Sequence, residues 1–329
     1  MSEDGVQLRP GRRRYLAART AAGFALLAVL WYFVGRGLAA SFRRIDWQTL
    51  QIDWVCLAAA LAVLLLARLT NALNCRQAMA TLGHDISNRR AIPIIWFASL
   101  GRYIPGKFAA VAGALYLLNR AGLPLHVAAG GMFLSVAMMI LTGLVASTPL
   151  LFMPQVRQSA PWAGAAAVAI GVAGAVCLHP LVFTRLLNVV LRILRRPLLP
   201  ARLAAGPYVR VVGITLLRIV VLGAALWLAG RAVGPLGMRD FPMTLAAGGL
   251  ASVAGFLAVF APAGLGAHEG VYLLTMTPLL GPPAGLMVAI FRLLNVLSDV
   301  IVGAAGMALL RGAAAPDTVG AGACAGGAP

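Results

Sequence analysis

Residues 99–109 read SLGRYIPGKFA and residues 260–270 read FAPAGLGAHEG. Each puts glycine, proline and charge inside an apolar stretch about as long as a membrane span. In lipid, a backbone freed from a helix finds no water for its N–H and C=O groups. Such breaks survive only where protein or a water-filled cavity surrounds them. Charge at the same depth marks a path or a binding site. These two segments therefore decide the fold class and show where function should be sought.

The flanking sequence is equally one-sided. Sixty-one per cent of the 329 residues are hydrophobic, against 27 Lys and Arg and nine Asp and Glu, and the mean hydropathy is +0.89. Apolar runs recur from Tyr15 to Leu310 and leave no stretch for a separate water-soluble core. The expectation is an all-α, polytopic integral membrane helix bundle. A basic N-terminus (1–14) precedes one transmembrane domain (15–311), and a Gly/Ala-rich tail (312–329) lacks a packing stripe and is expected to be disordered.

The net charge of +18 does not point to nucleic acid. Arg9, Arg12, Arg13, Arg14 and Arg19 precede the first apolar run, and Arg185, Arg192, Arg195, Arg196, Arg202 and Arg210 crowd one connection. That is the pattern of positive-inside topology and of attraction to anionic headgroups, with no soluble basic face carrying interleaved aromatics. Cys56, Cys75, Cys177 and Cys324 are scattered without metal-ligand spacing.

Helices are expected at about 16–34, 54–73, 92–118, 124–152, 161–183, 211–233, 241–260, 267–281 and 284–310. The first is long enough for an uncleaved anchor. The fourth is too long to stand upright, so it tilts or breaks near Gly143. If the N-terminus and the arginine-rich 185–210 connection both face the cytoplasm, parity requires 92–118 to enter and return to the same side. A second re-entrant hairpin over about 241–281 then enters from the opposite face and leaves the C-terminus cytoplasmic. Broken elements meeting from opposite faces are how inverted-repeat transporters build a midplane site, so an inverted repeat is a corollary.

GRYIPGKF spells G-x-x-x-x-G-K but ends in Phe108, where a nucleotide-binding loop needs Ser or Thr for magnesium. The residues suggest instead an anion cradle of Arg102 and Lys107, the chain's one lysine, beside backbone N–H groups freed near Pro105 and Gly106; the plainer alternative is a lysine reaching an interface. His268-Glu269 resembles the start of a zinc helix, but Tyr272 stands where the second histidine belongs. Glu269 is the lone carboxylate between Asp240 and Asp299, so it is protonated or paired; Lys107, Arg102 and Arg292 are the candidate cations. Arg292 and Asp299 lie two turns apart on a face shared with Asn295 and Ser298, which should face the bundle. Arg68 and Arg218 are further intramembrane charges that carry less weight because either could reach an interface.

GRYIPGKFAAVAGALYLLNRAG (101–122), followed by APAGLGAHEG (261–270), resembles the lysylphosphatidylglycerol synthase transmembrane-domain family, which includes the flippase half of the multiple peptide resistance factors. The likeness covers roughly residues 15–311. Its most specific matches are Tyr103, Pro105, Gly106 and Lys107, then Pro262, Gly264, Gly266 and Glu269. It implies a multi-spanning protein of the bacterial inner membrane that moves or handles a lipid, with both motifs near the headgroup path.

The resulting expectation is a flippase-like transporter of an anionic or modified lipid: an aminoacyl-phospholipid, a polyprenyl-phosphate-linked lipid, a glycolipid or a hopanoid-type lipid. Arg102 and Lys107 would hold the headgroup while Glu269, Arg292 and Asp299 balance charge. No catalytic, nucleotide, cofactor or metal motif is complete, and only a short tail follows Leu310, so any lipid modification is expected from a separate enzyme. The alternatives are an integral-membrane lipid-modifying enzyme, with His268-Glu269 as its compact acid/base candidate, and a non-transporting scaffold of an envelope-lipid pathway.

Overall fold

A computed structural model describes residues 51–103, 108–193, 203–258 and 264–313. The expected 16–34 helix, the tail beyond residue 313, and Pro105, Gly106, Lys107 and Pro262 lie outside these. Among the described residues there are helices and turns and no strand. The long elements are α1 (Trp54–Ala80), α4 (Leu125–Ala146), α8 (Ala205–Arg231), α9 (Phe241–Leu257) and α11 (Ala284–Ala313). Counting adjoining turns, these give five helices long and apolar enough to cross a membrane.

The frame is the antiparallel pair α1 and α8. At one end the Asp53 N–H donates to the Ala232 carbonyl at 3.0 Å, and at the other the Ala204 N–H donates to the Thr81 carbonyl at 3.3 Å. Asp53 also caps α1, its Oδ1 accepting from Val55 N–H at 2.9 Å and Cys56 N–H at 3.1 Å. Those bonds, Cys56's foremost, hold the carboxyl below its usual range. Toward the Thr81 end, Asn74 donates to Ser135 Oγ of α4 at 2.8 Å and accepts from Thr215 Oγ1 of α8 at 3.1 Å. Three helices are thereby stitched by side chains that would otherwise be unsatisfied in hydrocarbon.

The segment read as 92–118 is two helices, α2 (Asn88–Ser99) and α3 (Phe108–Arg120), with a 3-10 turn over Leu100–Tyr103. Each is about 18–20 Å long, short of the ~30 Å of a hydrocarbon core. They pack on each other, and their outer ends gather in one cluster in which Met79 and Ile86 meet Ala91, Leu118 and Leu123. The chain thus leaves and returns to the Thr81 end of the bundle. Helix α9 and helix α10 (Ala267–Leu280) form a second pair, starting and finishing near Leu236, Leu280 and Ala284 at the Asp53 end. This second pair differs from the expected hairpin in one respect: Met238–Leu257 is by itself long and apolar enough to cross.

Three expectations are corrected. The long fourth segment gives way at Ser147, within one candidate span, to a 3-10 turn over Thr148–Phe152 whose second residue is Pro149, and does not break at Gly143. Gly143 instead allows a close helix crossing, since a Cβ on Gly249 would stand 2.8 Å from its carbonyl oxygen. The segment 161–183 is not one helix: α6 (Ala163–Cys177) stops and α7 (Pro180–Ile193) leaves at 93°, because Pro180 cannot continue the hydrogen-bond ladder. Arg185, Arg192 and Arg210 consequently ride on helices α7 and α8, not on a loop. The face Phe183, Leu187 and Leu191 of α7 packs against Tyr208 and Val211 near the Thr81 end. A short helix α5 (Pro154–Ser159) completes the set.

Glycine sets how closely α2 approaches α11. A Cβ on Gly306 would lie 2.7 Å from the Pro93 carbonyl oxygen and 2.9 Å from the Phe97 nitrogen, both backbone. Gly306→Ala should therefore lower the thermal midpoint in detergent, at about 1–3 kcal/mol for overpacking. Gly113→Ala in α3, where nothing lies within 4 Å, should be neutral or raise it through helix propensity. Topology supplies a second test: cysteine accessibility should place the 81–87 and 121–124 connections on the same side. Labelling from opposite sides would rule out re-entry of residues 88–120.

Candidate functional site

The described flanks of the two breaks line one cavity, where buried charges collect. A cavity of about 280 Å³ is lined by Arg102 and Tyr103 from the first break, Gly264, His268 and Glu269 from the second, and Arg292 and Asp299 from α11. The same wall carries Arg68 of α1 and Arg218 of α8. Asp299 is 2% exposed and lies near the middle of its 30-residue helix, so its charge needs partners. Arg68 Nε stands 2.9 Å from Oδ1 and Arg102 Nη1 3.3 Å from Oδ2, while the Tyr103 hydroxyl donates to Oδ2 at 2.7 Å. Arg68 is itself held by Asn295 Oδ1 at 2.9 Å.

A second pair lies across the cavity. Glu269, 5% exposed, faces Arg292 Nε at 3.3 Å, and its Oε2 accepts the Gly266 N–H at 2.7 Å. That bond satisfies an orphan donor at the start of α10, where the helix dipole also favours a carboxylate. Gly266 and Gly264 adopt φ of +85° and +69°, a region that costs glycine nothing. Gly264 and Gly255 also admit the His268 ring, which a Cβ on Gly255 would overlap. His268 then lies stacked toward Tyr272, with ring centroids 6.3 Å apart.

The structure thus gathers Arg102, Tyr103, Gly264, His268, Glu269, Arg292 and Asp299 around one cavity, with Gly266 behind Glu269. Pro105, Gly106, Lys107 and Pro262 fall outside the described residues. Two placements differ from expectation. Among the described cations Glu269 takes Arg292, one of its three expected candidates, and Arg102 turns instead to Asp299. Arg68 and Arg218 do not reach an interface: each sits within a residue or two of its helix centre, about 20 Å from either end of α8 in the case of Arg218. Helix length and position were the signal that could have found them. No group of three or more potential metal ligands occurs among the described residues.

Losing the charge of Asp299 strands Arg68 and Arg102 together. Asp299→Asn should destabilise the protein by roughly 3–5 kcal/mol, the usual cost of breaking a buried pair. Tyr103→Phe, which removes one hydrogen bond to a charged group, should cost about 1.5–3 kcal/mol. Thermal unfolding of both variants in one detergent checks the order.

The sequence matches the family described as lysylphosphatidylglycerol synthase TM region over residues 20–319. No curated protein matches the chain. With a match over nearly its whole length, the chain belongs to that family, and with its apolar helices it is a multi-pass membrane protein related to lipid handling.

Proposed function

We propose that this member of the lysylphosphatidylglycerol synthase transmembrane family binds an anionic lipid headgroup in the central cavity and carries it between leaflets of a bacterial inner membrane. One observation carries the reading: four arginines line the cavity against two carboxylates, and both carboxylates already stand in ion pairs. The surplus positive charge lies at the depth where an anion would otherwise be most costly. An anionic ligand is the complement such a site lacks.

Two broken helix pairs entering from opposite ends of the bundle supply elements that could alternate in opening, as in other transporters built on broken helices. Glu269–Arg292 and the Asp299 cluster balance charge and hold the two breaks in place. His268-Glu269 is a compact acid/base pair, but Glu269 is engaged by Arg292 and Gly266, which favours binding over lipid modification.

Proteoliposomes containing headgroup-labelled lipids test this. The protein should accelerate leaflet exchange of an anionic phospholipid over a zwitterionic one of the same chains, and Glu269→Gln should slow exchange more than it lowers stability. Binding without exchange would support a scaffold, and a chemically altered lipid an enzyme. Equal handling of both lipids would end the proposal.

A further inference from the structure

Arg218 is the one cavity arginine whose role neither ion pair explains. It forms neither a hydrogen bond nor an ion pair with any described residue, and its strongest charged neighbours, Arg68 and Arg102, carry its own sign. The antiparallel register of α1 and α8 puts it level with Arg68, halfway along both helices. A cation at such a place is costly unless something neutralises it.

A second cavity of about 150 Å³ adjoins the first, and Arg218 and Arg102 line both, together with Asn71, Val136 and Met139. Its other walls are mostly apolar: Ile95 and Ala98 from α2, Val111 and Ala114 from α3, and Met132 from α4. Val111 is 45% exposed, so the slot reaches the outer surface of the bundle between α3 and α4. The site therefore has three zones in line: a polar chamber with both signs of charge, an arginine pair, and an apolar slot open at the side.

Resting on the lipid reading above, we propose that Arg218 and Arg102 form a phosphate subsite at the junction of the two cavities. The polar end of a phospholipid projects into the larger chamber, and its first chain segment leaves along the slot lined by Val111. Two guanidinium forks suit the non-bridging oxygens of a phosphodiester, with Asn71 as a further donor. The subsite narrows the ligand from any anionic lipid to one with phosphate between chain and headgroup.

Competition against fluorescent phosphatidylglycerol, using the full chain in detergent, separates the parts. The competitors are phosphatidylglycerol, diacylglycerol without phosphate, and glycerol 3-phosphate without chains. Wild type should prefer phosphatidylglycerol. Arg218→Gln should weaken it roughly 10- to 100-fold, the value of a charge-assisted contact, and leave the weak binding of diacylglycerol unchanged. Because Arg218 has no hydrogen-bond or ion-pair partner to strand among the described residues, the variant's thermal midpoint should equal or exceed wild type, which a structural arginine would not allow. Val111→Phe should weaken phosphatidylglycerol but not glycerol 3-phosphate.

A wild type that does not distinguish phosphatidylglycerol from diacylglycerol overturns the lipid reading itself. A wild type that distinguishes them beside an Arg218→Gln variant that does so equally well overturns the phosphate subsite alone. Glycerol 3-phosphate competing as well as the lipid, with Val111→Phe silent, overturns the slot and leaves a site for free phosphate. Should the glutamine variant not fold, Arg218→Lys keeps the charge without the planar fork; unchanged affinity there counts against phosphate recognition.

Discussion

A carboxylate at the middle of a membrane helix is the constraint on which the rest of this structure hangs. Asp299 cannot be left bare in hydrocarbon, and its partners come from two separate segments: Arg68 from α1, and Arg102 and Tyr103 from the first break. The pairing fixes where α2 must end. It works only because Gly303 and Gly306, one and two turns beyond Asp299, let α2 and the turn after it lie directly on α11; a Cβ on Gly303 would stand 2.5 Å from Leu100. Close approach and charge pairing are thus two consequences of one helix face.

The second break obeys the same physics by another route. Glu269 sits in the first turn of α10, where its carboxylate takes the Gly266 N–H and sits beside the positive end of the helix dipole. Arg292 from α11 completes the pairing. Helix α11 thus holds one break through Asp299 and the other through Arg292, seven residues apart. The cavity lies between the two helix pairs, lined by Arg102 and Tyr103 beside one and by Gly264, His268 and Glu269 from the other. Its polar lining follows from that, because the ends of broken helices expose backbone groups only where water or charge can meet them.

Much of this is legible in the sequence. Glycine, proline and charge within apolar runs located both breaks, and the i, i+7 spacing of Arg292 and Asp299 put them on one inward face. The choice of partners was not legible, since whether Arg102 meets Glu269 or Asp299 depends on how deeply α2 descends along α11. Pro180 could have signalled the bend that turned one expected span into α6 and α7. The depth of Arg68 and Arg218 is hidden in the sequence for a different reason. Arginine is long enough to reach an interface from near a helix end, and only the full 27-residue lengths of α1 and α8 show that both are central.

The division of labour among the four cavity arginines bears on how a ligand could be released as well as held. Arg68 is only 12% exposed and fastened by Asn295 and Ser298 as well as Asp299. Arg102 is 32% exposed, and its contact with Asp299, at 3.3 Å, is the longer of the two. Arg218 has no carboxylate partner among the described residues. An anion arriving between Arg218 and Arg102 therefore gains one cation outright and must share the other with Asp299. That competition lowers affinity without removing selectivity, which is what carriage requires: binding strong enough to enter and weak enough to leave. A site in which all four arginines were uncommitted would hold phosphate more tightly and release it more slowly. On the proposed binding mode Asp299 supports the fold and competes with the ligand for Arg102.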